Sequence, residues 1–314
     1  MTQSEIGIVI VTYESAAEIG ACLDAALPTG AEIVVIDNAS RDGTVAEVRR
    51  RPVRLIANSQ NRGFAGAVNQ GFSVLECPYI LLLNPDCVLE GGLDVLREAC
   101  DLERAAGAGG LLLDHSGRPQ VGFMVRRFPT PASLALEALL LNRIWPNNPV
   151  NRRYRALHLD YSTRGEVDQP AGAFLMIRRA AWQELGGFDE SFYPLWFEEV
   201  DFCRRAANCG FRLYFEPKAV AKHAGGHSVG QLSVEMRRVY WYRSLLKYAA
   251  KHFRPVAFRS VCAAVVAGSV LRIVAESVAA RRLQPLATYG EVVRLAGRAL
   301  LSGRLNQSVV TGPL

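Results

Sequence analysis

Closely spaced cysteines are missing from this chain. Its seven cysteines are scattered, with no Cys-x-x-Cys pair. That spacing argues against a disulfide framework and a structural zinc site, and fits a reducing compartment. An apolar leader is missing too: Met1–Glu5 is polar and runs straight into an apolar stretch, so no secretory signal is expected. There is no internal repeat and no low-complexity tract. The one glycine-rich loop that opens a helix, Asn61-Arg62-Gly63-Phe64-Ala65-Gly66-Ala67, is neither a Walker A loop nor a full dinucleotide fingerprint. Acidic residues are scarce between 237 and 304, where Arg and Lys are frequent. That bias points to an anionic membrane surface or to nucleic acid. The residues between those charges are apolar, and no recognition motif is present. Membrane is therefore favoured and no nucleic-acid partner is expected.

What is present fits a globular enzyme. The chain has 314 residues, half of them apolar and 21% charged, with net charge +6 and a pI near 9.0. That length accommodates one large α/β domain or two smaller ones. Strand and helix signals alternate through the first 90 residues. Strands are expected at 6–12, 33–36, 53–57 and 79–83, and helices at 15–27, 44–51 and 64–75, with Ser15 a candidate N-cap. This alternation predicts a doubly wound, mostly parallel sheet. Beyond it, 111–168 reads as a less regular region over a site. Another core strand is expected within 167–178, with Pro-Ala-Gly-Ala at its entry, helices at 180–185 and 198–209, a strand at 211–215, and a helix at 233–252. The stretch 256–280 has only twelve uncharged residues between Arg259 and Arg272, too short for a confident spanning helix. An interfacial helix, or one packed on the catalytic domain, is expected instead. The domain expectation is 1–252, dividing at about residue 110, followed by a basic, apolar helical extension at 253–314.

Several clusters carry chemistry. Tyr79–Asp86 is an apolar run that stops on a carboxylate. Pro85 cannot donate to a strand ladder, so Asp86 falls at the strand's carboxyl end, where open α/β sheets bind ligands. A carboxylate there can hold a divalent cation, and the cation a diphosphate. Asp37-Asn38 ends the second strand; it reads equally as a ribose or base contact and as a turn-forming pair. The loop at 61–67 offers helix N-terminal N–H groups, with Arg62 as a charge-assisted phosphate contact. Glu198-Glu199-Val200-Asp201 puts three carboxylates into four positions. They suit a helix macrodipole, or a general base near an acceptor hydroxyl. On a helix, Glu198 and Asp201 share a face and Glu199 points elsewhere. Trp196 and Phe197 stack on a sugar or belong to the core. His223 and His227 sit in a glycine-rich stretch and read as metal ligands or as structural histidines.

Taken in order, these stretches match a family. They are Val-Thr-Tyr at 11–13, Ile-Asp-Asn-Ala-Ser at 36–40, Asn-x-Gly-Phe-Ala-Gly-Ala-x-Asn-x-Gly at 61–71 and Leu-Leu-Asn-Pro-Asp at 82–86. Then follow Gly-Gly-Phe-Asp-Glu-x-Phe at 186–192, Glu-Glu-Val-Asp-Phe-Cys-x-Arg at 198–205, and His223 with a Gly-Gly-x-Ser ending at Ser228. Over about residues 6–250 the chain resembles glycosyltransferase family 2, in particular its bacterial rhamnosyltransferase-like branch.

The resemblance implies a GT-A fold and an inverting enzyme that moves a sugar from a nucleotide-sugar donor. The leading donor is dTDP-rhamnose, and the acceptor is a glycan or lipid-linked glycan of the cell surface. It places the nucleotide-sugar at Thr12, Tyr13, Asp37, Asn38, Asn61, Arg62, Gly63, Phe64, Ala65, Asn69 and Asn84. It places Mg²⁺ or Mn²⁺ at Asp86 and His223, with Asn84-Pro85-Asp86 in the place of the family's Asp-x-Asp. Glu199 would be the catalytic base, supported by Glu198 and Asp201, and Gly172 and Trp196 would meet the acceptor. The implied setting is the cytoplasm, at the inner face of the plasma membrane. A sugar-phosphate nucleotidyltransferase fits less well, because the basic glycine-rich N-terminal loop it needs is missing. A non-catalytic sugar-nucleotide binder fits less well with carboxylates retained at 86, 199 and 201.

Overall fold

The strand that ends before Asn84-Pro85-Asp86 is the axis of the molecule's single large sheet. The computed structural model describes residues 4–225, 232–280 and 284–305. In chain order the strands are β1 (Ile6–Thr12), β2 (Glu32–Asp37), β3 (Arg54–Ala57), β4 (Tyr79–Leu83), β5 (Cys87–Gly91), β6 (Ala105–Leu113), β7 (Val125–Arg126), β8 (Gly165–Val167), β9 (Gln169–Pro170), β10 (Phe174–Arg178) and β11 (Arg212–His223). Their order across the sheet is β3-β2-β1-β4-β10-β6-β11-β5, with β8 on β11, while β7 and β9 form a separate pair. β1 to β4 are mutually parallel. Beyond β4 the sheet is mixed: β10 runs antiparallel to both β4 and β6, and β11 is parallel to β6 but antiparallel to β5. Ile80 to Leu83 are fully buried, as expected of a strand covered on both faces.

Packing divides the chain into two units that interleave in sequence. One comprises 1–128, 155–190 and 198–231; the other comprises 129–154, 191–197 and 232–314. The first contains every described strand. The second is helical: Pro131–Ala138, Leu141–Ile144, Pro149–Tyr154, Val234–His252, Pro255–Ala280 and Gln284–Ser302. In it, Ser233 caps the Val234–His252 helix by accepting from the Met236 N–H at 3.1 Å.

Four local expectations change. The first helix spans Ile19–Ala26, because 15–18 forms a turn in which both Glu18 and Ile19 N–H donate to Ser15 O. The expected strand 167–178 is broken into β8, β9 and β10, with Ala171–Ala173 between the last two. Pro170 and Gly172 interrupt the ladder there, since one lacks an N–H and the other favours no strand. β11 extends twelve residues to His223, so this histidine closes a strand rather than sitting in a loop. Pro255–Ala280 is a continuous helix, and its Pro255–Val278 portion is the one described helix long and apolar enough to cross a membrane. A third of its most apolar window is buried. On the buried side Gly268 lies against Ala138, and Arg272 donates to the Ala138 carbonyl at 2.6 Å. Arg272 is thus satisfied inside the unit, and Arg259 is the charged residue exposed on the outer face.

Candidate active site

The carboxyl ends of β1 and β2 lie side by side, with Thr12 in register with Asp37. Thr12 Oγ1 donates to Asp37 Oδ1 at 3.0 Å, and Ser40 N–H donates to Asp37 Oδ2 at 3.0 Å. Asp37 is 1% exposed. Its carboxylate organises the 37–40 turn from inside. Asn38 plays the same part for the next loop: its Nδ2 donates to Asn61 Oδ1 (2.9 Å) and Gly63 O (3.1 Å), and its Oδ1 accepts from Arg62 N–H (2.9 Å). Gly63 takes φ +75°, which a glycine allows at little cost, and begins helix Gly63–Val74. The first-turn N–H groups of that helix form a positive end that favours an anion.

The expected nucleotide-sugar contacts therefore separate. Thr12, Asp37, Asn38, Gly63 and Ala65 are buried and shape the loops, whereas Tyr13, Asn61, Phe64 and Asn84 are half-exposed and Arg62 is exposed. Asn69 is committed elsewhere. Its Nδ2 donates to Phe188 O and to Glu190 Oε1, both at 2.9 Å, and its Oδ1 accepts from Phe188 N–H at 3.0 Å. It ties the helix to the Gly186–Glu190 turn.

Asp86 and His223, 137 positions apart in sequence, meet because β5 and β11 pair antiparallel, with Cys87 opposite His223. Asp86 Oδ1 stands 3.6 Å from His223 Nε2, and Asp86 Oδ2 accepts from Gly225 N–H at 3.0 Å. His223 is 3% exposed, and burial pushes its imidazole below its ordinary pKa, against the opposing pull of Asp86. The ring is neutral at neutral pH. Its other edge meets Gln120, with His223 Nδ1 2.9 Å from Gln120 Oε1 and Gln120 Nε2 donating to His223 O at 2.8 Å. A carbonyl only accepts, so the Gln120 amide nitrogen must face His223 O and its oxygen must face Nδ1. Nδ1 then carries the proton, and Nε2 turns a lone pair toward a carboxylate.

Two acceptors facing each other at 3.6 Å are an arrangement that a divalent cation could share. Two ligands held at right angles about 2.1 Å from a cation stand about 3 Å apart, so this spacing suits a shared ion after a small adjustment. Cys87 completes the cluster of ligand-type atoms, all within 4.8 Å of one another. Burial drives the Cys87 thiol well above its ordinary pKa, and it donates to Ala173 O at 3.3 Å, so it stays protonated. The effective donors are one carboxylate oxygen and one imidazole nitrogen, a mixed set that can hold a divalent cation without selecting which one. His227 and Ser228 lie outside the described residues.

Helix Glu198–Asn208 separates its carboxylates as a helix must. Glu198 is 4% exposed and Asp201 fully buried, while Glu199 is half-exposed on another face. Burial raises the Glu199 pKa above the ordinary carboxylate value, and Arg126 opposes this electrostatically. A Cβ added to Gly172 would stand 3.5 Å from both Cβ and Cγ of Glu199. Gly172 thus lies against the stem of Glu199. The next residue, Ala173, accepts from Asn84 N–H at 3.0 Å. One three-residue connection between β9 and β10 therefore touches both the end of β4 and the carboxylate helix.

Asp201 accepts from Arg205 Nε at 2.8 Å, and Arg205 donates onward to Leu185 O and Gly187 O. This pair clamps the Gly186-Gly187 turn. Trp196 belongs to the helical unit, where it is half-exposed and left-handed at φ +76°. Sequence reasoning passed over Gln120 and Arg126, which lie in the region read as irregular. It quoted Arg205 without a role, although its position four residues after Asp201 is a readable helix-pair signal.

A family model described as glycosyl transferase family 2 matches residues 7–185. The chain is 31% identical over 242 residues to the N-acetylglucosaminyl-diphospho-decaprenol L-rhamnosyltransferase of Mycobacterium tuberculosis, covering 71% of this chain and 77% of that protein. The chain belongs to glycosyltransferase family 2. It is also 25% identical over 187 residues to rhamnosyltransferase WbbL of Escherichia coli, covering 59% of this chain and 66% of that one. Its fold is similar to that of a mannosyltransferase from Pyrobaculum calidifontis solved in complex with GDP-Man and Mn²⁺ (TM-score 0.53, 17% identity, 96% of this chain and 88% of the other). GalNAc-T7, solved with UDP, GalNAc and Mn²⁺, is similar at TM-score 0.52 and 15% identity over 78% of this chain and 51% of that one. The fold is GT-A, and the chain is a glycosyltransferase of the rhamnosyltransferase-like branch.

Proposed function

We propose that this enzyme transfers a sugar, with inversion, from a nucleotide-diphosphate donor to a lipid-linked glycan. The leading donor is dTDP-rhamnose. The observation that carries this reading is the facing pair of acceptors, Asp86 and neutral His223, at the end of β4, joined through Ala171–Ala173 to Glu199. Similarity to a decaprenol-linked rhamnosyltransferase supports both the donor and the acceptor class.

Asp86 and His223 would hold Mg²⁺ or Mn²⁺, which when bound supplies positive charge against the departing diphosphate. Arg62 and the N-terminus of Gly63–Val74 offer further anion contacts. Tyr13, Asn61, Phe64 and Asn84 present surface to the nucleoside and ribose. Glu199 takes the acceptor hydroxyl's proton as that oxygen attacks the anomeric carbon. Its raised pKa makes it a stronger base than an ordinary carboxylate. Gly172 keeps the space beside it open, and Glu198 and Asp201 hold its helix from within.

The helical unit fits contact with the inner face of a membrane. The outer face of Pro255–Ala280 exposes Val256, Ala263, Ala267, Leu271, Val274 and Val278 over about 33 Å, with Arg259 near its start. Nearby in the same unit, Ile144 and Trp145 are 79% and 62% exposed, beside exposed Arg143, Arg152 and Arg153. Apolar residues and Trp at an interface, flanked by arginines for anionic headgroups, fit a surface-bound helix unit. The division into a donor half at 1–110, an acceptor half at 111–252 and a membrane-facing extension at 253–314 is part of this proposal.

Turnover of a nucleotide-sugar panel with a polyprenyl-diphosphate acceptor tests the reading. Transfer from dTDP-rhamnose in the presence of Mg²⁺ or Mn²⁺ is the expected result. Transfer only from UDP- or GDP-sugars would replace the donor, and no transfer from any would overturn the reading.

A further inference from the structure

His223 is held on two sides by one short segment that belongs to no motif. Residues 120–124 form a turn in which Phe123 and Met124 N–H both donate to Gln120 O. From this turn Gln120 grips the histidine edge through Oε1 and anchors to His223 O through Nε2. Phe123 stacks on the imidazole face, with ring centroids 5.1 Å apart and planes 13° from parallel. The two contacts leave the ring little freedom to rotate or flip.

The hydrogen-bond logic is directional. A flipped Gln120 amide would set its oxygen against the carbonyl of His223 and its NH₂ against Nδ1. That arrangement loses one hydrogen bond and pushes the histidine proton to Nε2, where it would point at Asp86. The observed arrangement satisfies His223 O and Nδ1 together, and leaves Nε2 as an acceptor. Metal-ligating histidines commonly donate their second ring N–H in this way, which fixes ring orientation and raises ligand basicity.

We infer that Gln120 is a positioning residue, which holds His223 as the Nδ1–H tautomer with its Nε2 lone pair turned toward Asp86 and a cation shared with it. The inference rests on the cation reading of the Asp86–His223 pair. Gln120 touches neither donor nor acceptor in this role and acts only through His223. Loss of such a partner lowers metal affinity 10–100-fold in comparable sites.

The test uses the full-length protein in two measurements. Long-range ¹H–¹⁵N spectra of the metal-free protein report the His223 tautomer, assigned by its loss in His223→Gln. Electron paramagnetic resonance of added Mn²⁺ reports affinity. Wild-type His223 should carry its proton on Nδ1. Gln120→Leu should remain folded by circular dichroism, lose the single tautomer and bind Mn²⁺ at least 10-fold more weakly. Gln120→Glu, which keeps an acceptor for Nδ1–H but loses the donor to His223 O, should retain the Nδ1–H tautomer. A wild-type proton on Nε2 overturns the inference, even where Gln120→Leu fails to fold. Unchanged Mn²⁺ affinity in folded Gln120→Leu overturns it as well. Wild-type protein that binds no Mn²⁺ overturns the cation reading instead, and the tautomer signal then still decides whether Gln120 orients His223.

Discussion

His223 Nε2 lies 3.6 Å from Asp86 Oδ1, and both atoms are hydrogen-bond acceptors at neutral pH. With the imidazole neutral and its proton on Nδ1, the two do not bond each other directly. The proposed shared cation would bridge them and give the strand-end carboxylate its chemical role.

Asp86→Ala should therefore remove both cation binding and transfer. Metal-derived charge stabilisation supplies several kcal/mol, so a rate loss of about 10³-fold or more is expected. The fold should persist, because Asp86 sits at a loop edge. Circular dichroism and Mn²⁺ binding on the same sample check this.

Glu199→Gln should keep donor binding and lose transfer by about 10²–10⁴-fold, the usual contribution of a general base. The pH profile carries a sign. The Glu199 pKa is raised in the fold by burial, so its contribution to stability is present at low pH and is lost as pH rises through the folded pKa. At neutral pH the ionised carboxylate costs stability, and Glu199→Gln should melt higher than wild type there but not near pH 4. Activity should rise with pH along a limb set above the ordinary carboxylate range. If Glu198→Gln is the inactive variant and Glu199→Gln is active, the two roles are exchanged.

Gly172→Ala should be nearly silent, because its new Cβ would meet Glu199 at ordinary contact distance. Gly172→Val should displace the Glu199 stem and lower kcat more than it lowers Tm. Equal kcat in the two variants would remove Gly172 from any part in placing the base.

Asp201→Ala should act on stability first. Asp201 is fully buried against Arg205, and breaking a buried pair costs about 3–5 kcal/mol. Urea midpoints should fall, whereas kcat per folded molecule should change far less than in Glu199→Gln. A full-strength fold with no activity would move Asp201 into the chemistry.

Leu271→Glu combined with Val274→Glu should release the protein from vesicles containing anionic lipid, as should Ile144→Glu with Trp145→Glu. Co-sedimentation unchanged by either pair would remove the membrane contact.

Much of this was legible in the sequence because local rules dominate at strand ends. Pro85 stops β4, Gly210 stops the carboxylate helix, and the i, i+3 spacing puts Glu198 and Asp201 on one face away from Glu199. Long-range pairing was not legible. β10 runs antiparallel to β4, and nothing in Phe174–Arg178 states a direction. His223 reaches Asp86 only through the β5–β11 ladder. Gln120 has no motif at all, since its role is defined by a carbonyl and a ring 103 positions away. The buried state of Asp37 also escaped a reading that placed it against the nucleoside, because exposure depends on Thr12 and Ser40 closing around it.

The central claim is that Asp86 holds the cation that the reaction needs. Its most direct measurement is a Mn²⁺ titration of wild type and Asp86→Ala, with nucleotide-sugar turnover read in the same tubes. The account predicts stoichiometric binding and cation-dependent turnover for wild type, and neither for Asp86→Ala. Cation-dependent turnover retained by folded Asp86→Ala would contradict it.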